Sequence, residues 1–306
     1  MNQFIQISSA AASAVLSKSV RRSIPMTINF NLSSASCSAI HDFGALARII
    51  DDTARAGRGD RVCISPVSDT VSTHTAADSN PYSVVSVYAL HPLYCDLSRL
   101  APITNPLERE RLEMLSYGLD NPTEGHYYNV MLNAKHEYLY SVYRQEGERV
   151  RHSSDFRRFF ADNERWLVPY AQYSYLRDAY GIADFRKWPS HNEWTEAERG
   201  ALQNPRTKAY KKLSFIYYVQ YVMRRQLEAI HDRAAKLGVE LVGDMTANIN
   251  PNGCDTWQAA DIVGSDYWWT GRLKSMESFY DSCRVSASVM ARLNSCESVD
   301  MHLETF

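Results

Sequence analysis

Two rhythms of apolar and polar residues alternate along this chain. Met26-Thr27-Ile28-Asn29-Phe30-Asn31-Leu32 alternates apolar with polar positions and leads into a Ser-rich stretch, the period of a half-buried strand. From Asp42 the period lengthens. Phe43, Leu46, Ala47, Ile50 and Ala54 fall on one face at helical spacing, with Asp42 opening the helix and Gly57 and Gly59 ending it. Arg61-Val62-Cys63-Ile64-Ser65-Pro66 follows as an apolar run of strand length. Strand, helix, strand in this order predicts a right-handed βαβ unit with parallel strands.

From Pro102 to about Asn204 the pattern turns to long helices rich in Tyr, Arg and Glu, near 107–117, 128–147 and 155–180. A further helix is predicted over Thr207 to Leu237, burying Phe215, Val219, Val222, Leu227, Ile230, Ala234 and Leu237, with Gly238 as its stop. Val239-Glu240-Leu241-Val242-Gly243-Asp244 then reads as a strand ending in a carboxylate, and the βαβ rhythm resumes. A helix around Tyr267 to Tyr280 leads to a fourth short strand at Cys283-Arg284-Val285-Ser286. Four parallel strands interrupted by helices are what the first half of a (β/α)₈ barrel supplies, with polar residues at the strand C-terminal ends. The predicted fold is therefore α/β, a partial (β/α)₈ barrel of about four strands with a helical insertion subdomain. Its parts are a disordered leader over 1–24, the first barrel strands and helix over 25–100, the insertion over 101–205, the barrel continuation over 206–290, and a tail over 291–306. An unclosed barrel leaves two strand edges with unpaired N–H and C=O groups, which predicts self-association or a partner at those edges.

Composition narrows the function classes a little. The chain has 306 residues, 45% of them hydrophobic, enough for a sizeable core. Its 33 Lys and Arg nearly cancel 35 Asp and Glu, so no global field draws it to nucleic acid or to an anionic membrane. Residues Cys37, Cys63, Cys95, Cys254, Cys283 and Cys296 show no C-x-x-C spacing, which fits reduced thiols in a cytoplasmic protein and gives no metal site. No apolar run approaches bilayer length. No glycine-rich phosphate loop follows a strand, so no nucleotide cofactor is expected. The 19 tyrosines and six tryptophans suit either sugar stacking or helix packing.

Three stretches, taken together and in order, resemble one enzyme family. Asp78-Ser79-Asn80-Pro81-Tyr82-Ser83 followed by Tyr88-Ala89-Leu90-His91-Pro92-Leu93-Tyr94-Cys95-Asp96-Leu97 is the first. The second is the helical stretch with Phe156, Phe160, Asn163, Trp166-Leu167, Tyr170-Ala171, Leu176-Arg177, Tyr180-Gly181 and Trp188. The third is Gly243-Asp244-Met245 with Trp257. They are similar to the motifs of the 4-α-glucanotransferase (amylomaltase) family, whose members close a (β/α)₈ barrel around α-1,4-glucans. The resemblance implies retaining transfer of a glucan segment between chains. That reaction needs a carboxylate nucleophile and a carboxylic acid/base roughly 5 Å apart.

The resemblance also places the family's nucleophilic aspartate, and here the chain departs from the pattern. In Phe279-Tyr280-Asp281-Ser282-Cys283-Arg284-Val285-Ser286-Ala287 the arginine is kept as Arg284, the nucleophile position holds Ser286, and the following histidine position holds Ala287. A serine with no evident base cannot form the glycosyl-carboxylate ester. Thr246-Ala247 replaces the family's Pro-Ile, the segment between Trp257 and Tyr267 is shortened, and the acid/base and third carboxylate belong to strands that would lie past Phe306. Catalytic incompleteness is the expectation. Tyr82 matches a tyrosine that stacks on sugar and equally fits a turn packed on the barrel rim. Asp244, Asp69 and Asp78 fit sugar binding or loop capping, and Arg284 fits a site role or a salt bridge. His74 reads as a structural loop histidine, and Tyr217, Tyr218 and Gln220 as core and interface residues. Three readings stay open: a transferase, an α-glucan-binding or regulatory pseudoenzyme, and a gene remnant.

Overall fold

The computed structural model of the protein describes residues 27–30, 42–56, 61–70, 83–117, 127–243 and 248–258. The predicted helix at 267–280, the fourth strand at 283–286 and the leader lie outside these residues. Three strands, β1 (Thr27–Phe30), β2 (Arg61–Ile64) and β4 (Glu240–Gly243), form one parallel sheet in the order β1-β2-β4. Register is in step across it, Thr27 pairing with Arg61 and Arg61 with Glu240. The Arg61 guanidinium also donates to the Glu240 carboxylate at 2.8 Å. A second, two-stranded parallel sheet pairs β3 (Ser83–Val84) with β5 (Asn248–Ile249). Its two-residue strands carry too few residues to show a period, so the sequence pattern did not announce them.

The connection between β1 and β2 contains α1 (Phe43–Ala56). Asp42 caps it, its side chain accepting from the N–H groups of Gly44 and Ala45 at 3.0 and 3.1 Å. Phe43, Leu46, Ala47 and Ile50 are buried as the periodicity predicts. Gly44 is required by a close approach: a Cβ there would stand 2.7 Å from Asp96 Oδ2. The chain between β2 and β4 is mostly helical, with α2 (Pro106–Tyr117), α3 (Tyr127–Arg151), α4 (Ser154–Tyr180), α5 (Glu196–Leu202) and α6 (Lys208–Lys236).

Helix α6 is the spine. It packs along α1, α3 and α4 and leads directly into β4. Thr207 opens it by accepting from the Tyr210 N–H at 3.1 Å, and Gly238 at φ +70° turns the chain away at its end. Tyr217, Tyr218 and Gln220 are buried along it. Two glutamines on this helix act as pieces of backbone. The Gln220 amide donates to Leu90 O and accepts from Leu90 N–H, both at 2.8 Å. Gln226 does the same with Asp96, at 2.9 Å each way. The backbone groups of Leu90 and Asp96, on either side of a 3₁₀ turn at Pro92–Tyr94, are thus satisfied from a helix far along the chain. Leu237, predicted on the buried side, is 42% exposed, because it is the C-cap and the chain leaves the helical face there. Val222 and Leu227 are half-buried.

Among the described residues, apolar burial forms three clusters. The largest joins α1, β2, α3 and α6 through Leu46, Ile50, Val62, Leu139, Tyr218 and Met223. A second is aromatic, around Tyr173, Trp188 and Trp257. The third holds the N-terminal half of α6 against α4 through Leu167, Val168, Leu213 and Tyr217. One charge is buried with the first: the Lys135 ammonium, 5% exposed, donates to Cys95 O at 2.7 Å and to Asp42 at 3.2 Å, so α3 grips the capped start of α1.

Candidate functional site

Chemistry-bearing side chains converge where the chain leaves β2 and where β3 and β5 meet. Asp69 is the centre of the first group and is 6% exposed. Its backbone N–H donates to Ala89 O at 2.7 Å, and its carbonyl accepts from Val85 N–H at 2.8 Å. Thr70 bridges Val84, and His91 N–H reaches Val67 O at 3.0 Å. Residues 65–70 and 83–91 are therefore zipped together.

The Asp69 carboxylate is held from within. Oδ2 accepts from the Tyr170 hydroxyl at 2.8 Å, and Oδ1 accepts from Thr70 N–H at 3.0 Å. His91 lies against the other side. Its Nδ1 accepts from Leu93 N–H at 3.1 Å, so the ring proton sits on Nε2, which faces Asp69 Oδ1 at 3.9 Å. Burial keeps His91 neutral by lowering its pKa against the pull of Asp69, and Arg177 and Lys135 act in the same direction as burial. Burial also pushes the Tyr170 hydroxyl well above its ordinary range, with the Asp69 charge adding to it. The Arg177 guanidinium, near both, pairs with Asp178 at 2.9 Å. This is a closed set of partners suited to fixing geometry.

The second group is built on the β5 side. Asn250 N–H donates to Val84 O at 2.9 Å, and its side chain donates to the Ser83 hydroxyl at 3.0 Å. The chain then turns into the short helix α7 (Cys254–Gln258). Gly253 makes that turn possible, since a Cβ on it would stand 2.8 Å from Val85 O. Asp255, 1% exposed, closes the contact: its N–H donates to Val85 O at 3.2 Å and its Oδ2 accepts from Val87 N–H at 2.8 Å. Trp257 enters the aromatic cluster, with ring centroids 5.8 Å from Trp188 and 6.1 Å from Tyr173, and its indole N–H donates to His191 O at 3.1 Å. The Tyr173 hydroxyl donates to Ala183 O at 3.1 Å and also to Asn252 O, fastening α4 to the turn before α7.

Of the residues singled out in the sequence, Asp69 is placed here. Asp78, Tyr82, Asp244, Arg284 and Ser286 lie outside the described residues, as does His74; β4 ends at Gly243, one residue before Asp244. Tyr170, His91 and Asp255 belong to the site and were not singled out. Their signals were present, Tyr170 and His91 inside the quoted stretches and Asp255 two residues before Trp257, but nothing in the sequence pairs residues 101 positions apart, as Tyr170 and Asp69 are. Among the described residues, no group of His, Cys, Asp and Glu side chains is arranged to hold a metal ion, and no helix is long and apolar enough to cross a membrane. Cys63, Cys95 and Cys254 are free thiols.

Comparison with known proteins decides the family. The family model described as 4-alpha-glucanotransferase, glycoside hydrolase family 77, matches residues 29–267. The chain belongs to the 4-alpha-glucanotransferase family. It is 29% identical over 256 residues to 4-alpha-glucanotransferase DPE2 of Oryza sativa subsp. japonica, covering 73% of this chain and 27% of the relative. To the 4-alpha-glucanotransferase of Chlamydia pneumoniae it is 24% identical over 250 residues, covering 69% of this chain and 45% of the relative. Among solved structures, the amylomaltase of Streptococcus agalactiae in complex with acarbose matches with a TM-score of 0.60 at 15% identity, over 78% of this chain and 47% of that one. The amylomaltase of Corynebacterium glutamicum matches with a TM-score of 0.55 at 16% identity, over 80% and 33%. The chain thus spans between about a quarter and half the length of these 4-alpha-glucanotransferase family members, and its fold is that of the matching part of an amylomaltase.

Proposed function

We propose that this chain binds α-1,4-glucans through the family's substrate-side segment and does not run glucan transfer by the family's carboxylate route. The observation that carries the binding half is the double fastening of the 65–91 region. Asp69 and Tyr170 secure it from α4, and Asp255 and Asn250 secure it from the β5 side. Fixing the flanking residues 65–70 and 83–91 against each other suits presentation of Asp78 and Tyr82, which stand between them in the chain, to a sugar. In this reading Asp69 positions the segment, while Tyr82 and Asp78 contact the glucan. The sheet β1-β2-β4 is taken as part of a (β/α)₈ barrel, with Asp244 at a strand end facing the cleft. Its outer edges are the surfaces for self-association or a partner.

The second half rests on Ser286 at the nucleophile position, beside Arg284. A hydroxyl offers neither the charge that steadies an oxocarbenium-like transition state nor the ester that retention requires. Titration calorimetry with maltoheptaose tests the binding, which Tyr82→Ala is expected to weaken at least about tenfold, the loss of a stacking face. No heat from the wild-type protein would remove the binding reading. Incubation with maltotriose is expected to yield neither glucose nor longer maltooligosaccharides. Turnover that disappears in Ser286→Ala would instead establish a transferase with an unusual nucleophile.

A further inference from the structure

Asp255 stands apart from every other carboxylate described. It is almost wholly enclosed, between α7 and residues 85–87, with no cation among the groups that act on it. One oxygen, Oδ2, accepts from Val87 N–H at 2.8 Å, and the Ser86 side chain lies within hydrogen-bonding reach. The other oxygen, Oδ1, is buried without a partner. An ionised carboxylate in this setting would be a buried, half-satisfied charge, whereas a carboxylic acid makes the same bond to Val87 at far lower cost.

We propose that Asp255 is a proton-held clasp, joining α7 to the 85–87 segment while its carboxyl is neutral and letting the two part when it ionises. Enclosure raises its pKa to about 7, against the smaller opposing effect of the Val87 and Ser86 hydrogen bonds. The clasp would therefore open across the neutral range. What it releases is specific: the Val85 O and Val87 N–H contacts of α7, and with them the seat of Trp257 against Trp188 and Tyr173.

Ionisable groups surround Asp255 from several elements. Beside it on α7, the Cys254 thiol is pushed well up by burial. From α4 come Tyr173, also raised by burial, and Arg177, which stays charged. Arg186 donates to Asn252 in the turn before α7, and His191 supplies the carbonyl that receives the Trp257 indole. On the far side of Val85 lies Asp69, bonded to Tyr170. His191→Asn, which tolerates the φ of 64° found there, removes the imidazole next to Trp257 and separates its contribution from that of Asp255.

The sign is set by the direction of the shift. Between about pH 4 and about pH 7 the folded protein holds a proton on Asp255 that the unfolded chain has released. Its contribution to stability is full below that window, falls as pH rises through it, and stays lost above about pH 7. Asp255→Asn keeps a neutral acceptor for Val87 and cannot ionise. The gap between the thermal unfolding midpoints of the two proteins is expected to shift in favour of Asp255→Asn by at least about 3 °C from pH 5 to pH 8.5. His191→Asn should reproduce the wild-type profile. A gap that does not change with pH, or a wild-type profile abolished by His191→Asn, overturns the proposal.

Hydrogen exchange on the wild-type protein alone gives an independent reading should Asp255→Asn fail to fold. Corrected for intrinsic rate, peptides covering 83–90 and 254–258 are expected to lose at least about tenfold in protection between pH 6 and pH 8, while the middle of α6 keeps its own. Equal change in all three, or none in any, counts against the clasp.

Discussion

A single hydroxyl joins α4 to the chain just after β2. The Tyr170 hydroxyl donates to Asp69 Oδ2 at 2.8 Å, and both residues are buried. Tyr170→Phe keeps the ring and deletes the donor, leaving a buried carboxylate oxygen without it. The expected cost is about 1–3 kcal/mol of unfolding free energy, read by urea denaturation, with circular dichroism at zero urea unchanged. A loss below about 0.3 kcal/mol would mean that Asp69 Oδ2 finds another donor. Residue by residue, the sequence revealed identities better than partners. Asp69 stood out as a carboxylate following a strand, and Tyr170 as part of a helical motif, but their bond joins two distant stretches and has no local pattern. Asp255 was hidden differently: its neighbours Gly253 and Trp257 carry the visible signals of a turn and an aromatic anchor, and its burial follows from Val85 crossing above it.

At the scale of elements, boundaries followed from capping chemistry. Ser153 accepts from Phe156 N–H at 3.2 Å and opens α4, and Gly181 at φ +67° closes it, its N–H donating to Arg177 O at 2.8 Å. Nothing lies within 4 Å of where a Gly181 Cβ would project, so space is not what excludes a side chain. The left-handed backbone is. Gly181→Ala is therefore expected to destabilise by about 1–2 kcal/mol, and Gly181→Asn by less, because asparagine adopts this conformation more readily. Equal losses in the two variants, measured by thermal unfolding, would point to a steric cause instead. Long helices were legible because their period persists for many turns, and the parallel sheet because strand, helix and strand followed one another closely. The β3–β5 pair was not, since each strand is two residues long and their partnership spans the whole helical region. Segment 90–96 was equally opaque, for it owes its shape to Gln220 and Gln226 on a helix far along the chain.

Across the whole molecule, two buried ionisable groups pull stability in opposite directions with pH. His91 is held neutral by burial, so its folded-state pKa lies below the unfolded value near 6.5. The unfolded chain then takes up the proton first as pH falls, and the His91 contribution, full above about pH 6.5, is lost progressively below it. Asp255 has the reverse sign. A wild-type profile of modest slope between pH 5 and 7 is expected, concealing two steeper ones. His91→Asn, which can still accept from Leu93 N–H, should remove the His91 share of the acid-side loss, to which His136, its pKa also lowered by burial, adds, so that the variant's midpoint relative to wild type rises as pH is lowered from 7 to 5. A constant offset would show that His91 is protonated equally in both states.

The order β1-β2-β4 has a consequence in time. Arg61 and Glu240, side by side in the finished sheet, are 179 residues apart in the chain. During synthesis at about 5–20 residues per second, β2 emerges roughly 10–35 s before the strand that will cover its far side. Helices α2 to α5 can form during that wait, whereas α6, against which α1 packs, ends just before β4, so neither the helical body nor the sheet is completed until nearly the whole described chain has been made. The nascent protein therefore passes through a stage in which α1 and β2 lack both the helix and the strand that will cover them, and its yield in the cell should depend on how well chaperones shield those surfaces until α6 and β4 arrive together.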